Sequence, residues 1–187
     1  MATACLKNQK DLPVRLIFQD EARFGRMSDP RACWAPAPKR PMVSLALIRE
    51  FRYEYAAVSP WNGDLDYRTL EKMNTENMSR FLKQVSETHE QDFMVMVLDG
   101  APSHKGKELE VPGNIALVFL PSYSPELNPA EQIWNVLRRD YFANRVFDSL
   151  SAATLQAEKG LANMASNRQA LKSLTNWSWI GAILKAK

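Results

Sequence analysis

The sequence predicts an α/β domain built on a mixed sheet with helices on its faces. Two observations carry this expectation. Segments rich in β-formers come first, close together in antiparallel style, at residues 14–18, 42–48 and 51–58. After them strand-like and helical segments alternate, an order that asks for crossover connections and a sheet covered on both sides. A third observation concerns two late apolar runs, Phe93–Leu98 and residues 115–120. Unbroken runs of this length mark strands buried on both faces.

The elements follow in order. Residues 1–13 are polar and read as a poorly ordered lead-in. Residues 14–18 form a short strand that ends at Gln19-Asp20-Glu21. Residues 25–40 are rich in Pro, Gly and charge around Trp34, as in a loop or irregular hairpin. Residues 42–48 and 51–58, parted by Arg49-Glu50, read as a β-hairpin. Pro60-Trp61-Asn62-Gly63-Asp64 is a cluster of turn formers. Residues 65–73 leave room for one further short element. Thr75–Thr88 is a helix, because Met78, Phe81, Leu82 and Val85 fall on one face. The strand Phe93–Leu98 ends at Asp99-Gly100. Residues 101–104 turn, and residues 105–109 leave room for a short helix.

Strand 115–120 feeds the most heavily punctuated stretch of the chain. Pro121 and Pro125 exclude regular structure there. Asn128 is a good N-cap, and Pro129 then takes the first helical position, where its missing N–H costs nothing. Glu131 occupies the reciprocal position of a capping box. Ile133, Leu137 and Tyr141 recur at helical spacing and form a buried stripe. Leu155, Leu161 and Met164 mark a later helix, and residues 170–174 a shorter one. Trp177, Trp179 and Ile180 close the chain by packing onto the core.

The chain has 187 residues, 45% of them hydrophobic, which fits one globular domain with a full core. A net charge of +3 and a pI of about 8.9 permit a nucleic-acid partner without establishing one. Cys5 and Cys33 have no metal-ligand spacing and point to a reducing compartment. His89 and His104 are too few and too scattered for a zinc site. The N-terminus lacks the apolar core of a signal peptide. No apolar run approaches the roughly 20 residues that span a bilayer. The expectation is an intracellular protein with no membrane partner.

Three acids stand at the punctuation marks. Asp20 and Asp99 fall at the carboxyl ends of two expected strands, and Glu131 falls on the first turn of the helix after a third. Ligands gather beyond such strand ends. Clustered carboxylates repel one another unless a cation joins them. Magnesium prefers hard oxygen ligands of this kind. Two ions roughly 4 Å apart support in-line phosphoryl displacement without a Ser, Cys or His nucleophile. Each acid also has an ordinary reading. Asp20 could be a surface charge beside Glu21, Asp99 an Asx turn with Gly100, and Glu131 a helix cap. His104 reads as a loop hydrogen-bonding residue, and Arg138 and Arg139 as a solvated helix face.

The motifs around these acids resemble a known family. They are Phe-Gln-Asp-Glu-Ala-Arg-Phe-Gly-Arg around Asp20, Leu-Asp-Gly-Ala-Pro-Ser-His-Lys around Asp99, and Leu-Pro-Ser-Tyr-Ser-Pro-Glu-Leu-Asn-Pro-Ala-Glu-Gln-Ile-Trp through Glu131. They resemble the three signatures of DDE transposases, in the bacterial insertion-sequence branch of the mariner superfamily. Trp34-Ala-Pro followed by Arg40-Pro41 resembles the family's inter-strand loop. The resemblance implies a ribonuclease-H-like fold, a mixed five-stranded sheet flanked by helices, over residues 14–187.

It implies metal-dependent DNA cleavage and strand transfer during transposition of an insertion sequence. Asp20, Asp99 and Glu131 would be both catalytic residues and ligands of Mg2+ or Mn2+, two ions in all. Lys105, Lys107, Arg138 and Arg139 are weaker expectations for phosphate contacts. The expected partners are transposon-end and target DNA and a second copy of the chain in the active complex, in the bacterial cytosol or nucleoid. The family usually carries helix-turn-helix domains before the catalytic domain, and none precedes it here. Recognition of specific ends would then fall to a separate helix-turn-helix subunit or an upstream-frame product. Gly100 replaces the Asn often found after the second Asp, which should alter the turn rather than the metal site. Two other functions fit the same motifs: a ribonuclease-H-like nuclease that only hydrolyses, and a truncated non-catalytic interaction or inhibitory module.

Overall fold

The computed structural model describes residues 12–185, with side chains through 182. Cys5 and nearly all of the expected lead-in at 1–13 lie outside the described residues. Five strands form one sheet: β1 (Val14–Met27), β2 (Leu47–Val58), β3 (Leu65–Leu70), β4 (Phe93–Leu98) and β5 (Ile115–Phe119), in the order β3-β2-β1-β4-β5. β1 pairs antiparallel with β2, and β2 with β3. β1 pairs parallel with β4, and β4 with β5. The sheet is therefore mixed, as the order of segments predicts. The helices are α1 (Thr75–Thr88), α2 (Glu131–Val136), α3 (Leu150–Ala165), α4 (Arg168–Thr175) and α5 (Ser178–Lys185).

Successive side chains of β1 point to opposite faces, as they must in a strand. Ile17 belongs to the core under α1, with Met78, Phe81, Leu82, Val85, Met94 and Met96. Phe18 and Ala22 belong to the other core, with Ile133, Trp134 and Leu137 and with Ala153, Ala157 and Leu161 of α3. Gln19 and Glu21 thus follow the α1 face, and Asp20 follows the α2 face. This alternation decides which neighbours each acid can have.

Several expectations need correction. β1 does not stop at residue 18. Its parallel ladder with β4 ends at Phe18↔Val97, but its antiparallel ladder with β2 continues from Phe18↔Val58 to Gly25↔Phe51. Polar residues 19–21 therefore sit inside a strand, held by backbone pairing rather than apolar content. Arg49-Glu50 is no turn, because both lie within β2, while residues 42–46 lie outside the sheet. β5 is an edge strand, and its Val118 and Phe119 are 46% and 41% exposed. Residues 105–109 form a turn closed by the Leu109 N–H on the Gly106 carbonyl at 3.0 Å, not a helix.

The stripe of Ile133, Leu137 and Tyr141 does not ride on one regular helix. α2 has six residues and widens into a π-helical turn over Leu137–Phe142. α3 buries small residues, Ala153, Ala157 and Gly160, beside Leu161, while Leu155 is exposed. Gly160 is what lets α3 lie against that π turn. A Cβ there would come within 2.3 Å of Leu137 Cδ1 and 3.0 Å of Tyr141 Cγ. At the end of the chain Ile180 is fully buried, and Trp179 meets Phe18 edge-on with centroids 6.2 Å apart.

Candidate active site

The β1–β4 ladder runs in register from Val14↔Phe93 to Phe18↔Val97. Two further steps along that register bring Asp20 opposite Asp99. Asp20 is thus mid-strand in β1, yet it stands beyond the carboxyl end of the parallel pairing, where ligands collect in such sheets. β5 continues the row: the Leu120 N–H donates to the Leu98 carbonyl at 2.8 Å. The chain then loops through Tyr123, which is fully exposed and has a left-handed φ of 60°. A short 3₁₀ turn, Pro125–Leu127, delivers Asn128 and then Glu131 at the start of α2. Asp20, Asp99, Asn128 and Glu131 line one cleft of about 350 Å³.

Asn128 is the anchor of this crossing. It is 3% exposed. Its Nδ2 donates to the Gln19 carbonyl at 3.0 Å and its Oδ1 accepts from the Ala130 N–H at 3.2 Å. One side chain thus ties the loop to β1 beside Asp20 and closes an Asx turn onto Ala130. Asn128 is not the helix cap it was expected to be: α2 begins at Glu131 with Ala130 at its N-cap and no side-chain cap, so Asn128 and Pro129 both precede it. The expected capping box is not formed. The Asn128 N–H already donates to the Pro125 carbonyl at 2.9 Å, so it has no need of Glu131. The Glu131 carboxylate makes no hydrogen bond among the described residues.

The two aspartates are held from opposite faces of the sheet. Asp20 is buried, and its Oδ2 accepts a hydrogen bond from Trp134 Nε1 at 2.8 Å. Burial pushes its carboxyl up to about 8, helped by the charge of Glu131 and opposed by the Trp134 hydrogen bond. Asp99 is 57% exposed at its side chain. Its Oδ1 accepts from the Ala101 N–H at 2.9 Å and lies 2.8 Å from His104 Nδ1. The hydrogen bond from His104 is the main reason its carboxyl lies below the usual range. The His104 side chain is fully buried, and its Nε2 lies 2.8 Å from Glu21 Oε1. Burial works against a charged ring, but the hydrogen bonds to Asp99 and Glu21 outweigh it and hold His104 at about 10. The Asx turn and the cleft acid, alternatives in the sequence, are here the same residue.

These donors suit a hard divalent cation in chemistry: carboxylate oxygens, with Asp20 holding a proton where positive charge is wanting. Among the described residues no three His, Cys, Asp or Glu side chains form a closed metal cluster. The acids share a cleft rather than a finished coordination shell.

The comparisons with known proteins bear on the same residues. The family model for DDE superfamily endonucleases matches residues 15–154. The chain belongs to that family. An uncharacterized protein of Sinorhizobium fredii, y4pE/y4sA, is 38% identical over 96 residues, which are 51% of this chain and 71% of that one. Among solved structures, the Mos1 mariner paired end complex with Mn aligns over 90% of this chain and 55% of its own, with a TM-score of 0.61 and 14% identity. The Mos1 paired-end complex with left transposon end aligns over 93% and 59%, with a TM-score of 0.55 and 13% identity. The chain thus spans less than three fifths of each of these two Mos1 chains. At such identities the likeness speaks for the fold, which is ribonuclease-H-like.

In this DDE domain the four expected basic contacts are scattered, and none lines the cleft. Lys105 comes nearest, with its Nζ 5.1 Å above the Phe119 ring and its charge felt at Asp99. Lys107 is exposed nearby. Arg138 stacks on the Phe24 ring at 5.4 Å, and Arg139 is bound bidentately to Asp140 at 2.6 and 2.8 Å. Sequence reasoning missed Trp134, Glu21 and His104 as supports of the acids. Trp134 lies three residues after Glu131, on the same helical side. Glu21 adjoins Asp20 in sequence, yet strand alternation sends the two to opposite faces, which is the signal that separates their roles. Among the described residues no helix is long and apolar enough to cross a membrane.

Proposed function

We propose that this chain is the catalytic domain of a transposase that cleaves DNA and joins strands when an insertion sequence moves. The observation that carries the reading is the meeting of Asp20, Asp99 and Glu131, from three separate elements, in one cleft of a DDE endonuclease fold. These three would hold Mg2+ or Mn2+, two ions by the usual logic of phosphoryl transfer. When bound, the ions would neutralise charge on the phosphate and activate a water or a 3′ hydroxyl. The chain's own residues prepare for this. Trp134 occupies one oxygen of Asp20, and Ala101 and His104 occupy one oxygen of Asp99. Asp99 keeps its Oδ2 without a hydrogen bond among the described residues, and Asp20 also takes support from the Glu21 backbone N–H. Asn128 fixes the approach of the loop that carries Glu131.

Mos1 structures with transposon ends and with Mn or Mg support DNA and a divalent ion as the ligands here too. Lys105 and Lys107 are the better placed phosphate contacts, and Arg138 and Arg139 the lesser ones. A dimer would form the active complex, and a separate helix-turn-helix subunit or upstream-frame product would read the ends. The test uses pre-cut duplexes carrying the terminal repeats that flank the gene, with a target duplex, in Mg2+ or chelator. Metal-dependent strand-transfer joints are expected. Nicks without joints would replace the transposase by a nuclease that only hydrolyses.

A further inference from the structure

We propose that Glu21 and His104 form a strut that sets the spacing of Asp20 and Asp99, and so the affinity of the cleft for a divalent cation. The inference rests on the reading of those two aspartates as metal ligands. The geometry is specific. Glu21 follows Asp20 in β1 but points to the other face of the sheet. Its Oε1 lies 2.8 Å from His104 Nε2, and its side chain is 3% exposed. His104 reaches on from the turn after β4. Its Nδ1 lies 2.8 Å from Asp99 Oδ1 and 3.2 Å from the Asp99 carbonyl oxygen. Both ring nitrogens therefore face acceptors only, and each must bring an N–H to be satisfied.

The ring thus bridges the strand that carries one acid and the residue that is the other. It grips Asp99 at both main chain and side chain. A second donor, the Ala101 N–H, shares the same Oδ1. Asp99 Oδ2 keeps no hydrogen-bond partner among the described residues and is free for a cation. Partners that orient ligand side chains in this way change metal affinity about tenfold to a hundredfold when removed. Glu21 and His104 are positioning residues, because neither touches the reacting groups.

The experiment measures Mn2+ binding directly, from the magnetic resonance signal of free Mn2+, with a thermal melt in chelator to establish folding. Glu21→Ala and His104→Ala should each weaken Mn2+ binding about tenfold or more, and the double variant should be no worse than the weaker single. Glu21→Gln keeps an acceptor for the His104 N–H and should restore most of the affinity. If either alanine variant fails to fold, folded His104→Gln, which cannot bridge Glu21 and Asp99 as the ring does, tests the strut: wild-type Mn2+ affinity in it would overturn the proposal. Folded Glu21→Ala or His104→Ala binding Mn2+ like wild type would overturn the strut while leaving the metal site intact. Wild type with no Mn2+ binding, or Asp99→Asn binding as tightly as wild type, would overturn the metal reading itself and the strut with it.

Discussion

Asp20 and Asp99 each lie two residues past the last parallel pair of β1 and β4, Phe18↔Val97, yet they live under different rules. Asp20 is buried on the α2 face, where a neutral donor, Trp134, is the one side chain among the described residues that hydrogen-bonds to it. Its carboxyl is pushed up to about 8. Asp99 is more than half exposed and is gripped from the α1 face by His104, itself backed by Glu21. Its carboxyl lies below the ordinary range. The difference comes from strand alternation: one residue's step along β1 exchanges a tryptophan for a histidine as the nearest support. A cleft built this way holds one acid ready as an anion and one that waits for positive charge.

The largest effect should come from the third acid, whose charge raises Asp20 and whose carboxylate makes no hydrogen bond among the described residues. Glu131→Gln keeps the shape of the side chain but offers a poor partner to a hard cation. Strand transfer should fall at least about a thousandfold, or about 4 kcal/mol in barrier. Stability should change by roughly 0.5 kcal/mol or less, because no capping box is lost. A gel assay for joints and a chemical melt check the two halves. A variant that joins strands normally would remove Glu131 from the site.

Glu54 supplies a second raised acid, diagonal to Asp20 across the β1–β2 pair but outside the lining of the cleft, and so sharpens what is special about Asp20. It is fully buried on β2, and its Oε1 has no hydrogen-bond partner among the described residues. Burial pushes it to about 7 against the hydrogen bond that Thr69 donates at 2.7 Å. The folded state therefore holds this proton more tightly than the unfolded one. Its stabilising contribution is complete below about pH 4.5 and is lost as pH rises through about 7. The slope from this one proton is at most about 1.4 kcal/mol per pH unit. Glu54→Gln should flatten the fall in stability between those pH values, with or without Mg2+. A melt series from pH 4.5 to 8 that is unchanged in the variant would show that Glu54 does not carry this proton.

How far these differences could be read in the sequence depends on the residue. α1 and β4 were legible to the residue, because an amphipathic stripe and an unbroken apolar run are local signals. The meeting of the three acids was legible through motif and strand order. The length of β1 was not, because Gln19-Asp20-Glu21 looks like the end of a strand until β2 is known to pair beside it. β5 reads as buried in composition but lies at an edge, which only the strand order reveals. His104 reads as a loop residue because Glu21, its partner, is 83 positions away. Pairings of that range leave no periodic trace.

The next effect disturbs one side of the comparison only. Gly160→Ala places a methyl against Leu137 and Tyr141, in the element that continues α2. Overpacking of this kind costs about 1–3 kcal/mol. The strain should pass to Trp134 and Glu131 and leave the Glu21–His104–Asp99 side untouched. Amide exchange should quicken around residues 130–142 and stay unchanged around residues 99–106. Equal quickening of both regions would mean that the two sides are one cooperative unit.

The smallest and most pointed effect comes from Trp134→Phe. The side chain is 1% exposed and also packs against Phe24 at 6.0 Å between centroids, so phenylalanine keeps most of the apolar filling. What it removes is the N–H on Asp20 Oδ2. In the absence of metal Asp20 is largely neutral at pH 7, since its carboxyl is held at about 8. The bond lost is then close to a neutral one, about 1 kcal/mol. A smaller aromatic ring adds a modest cavity cost. With a cation bound, Asp20 must be ionised, and the missing donor should matter more, by about 1.5–3 kcal/mol for a hydrogen bond to a charged group. The stabilisation that Mg2+ gives should therefore be smaller in Trp134→Phe than in wild type, over and above the roughly 1 kcal/mol already lost in the metal-free melt. An equal gain in both proteins would show that Trp134 fills space beside Asp20 without supporting its charge.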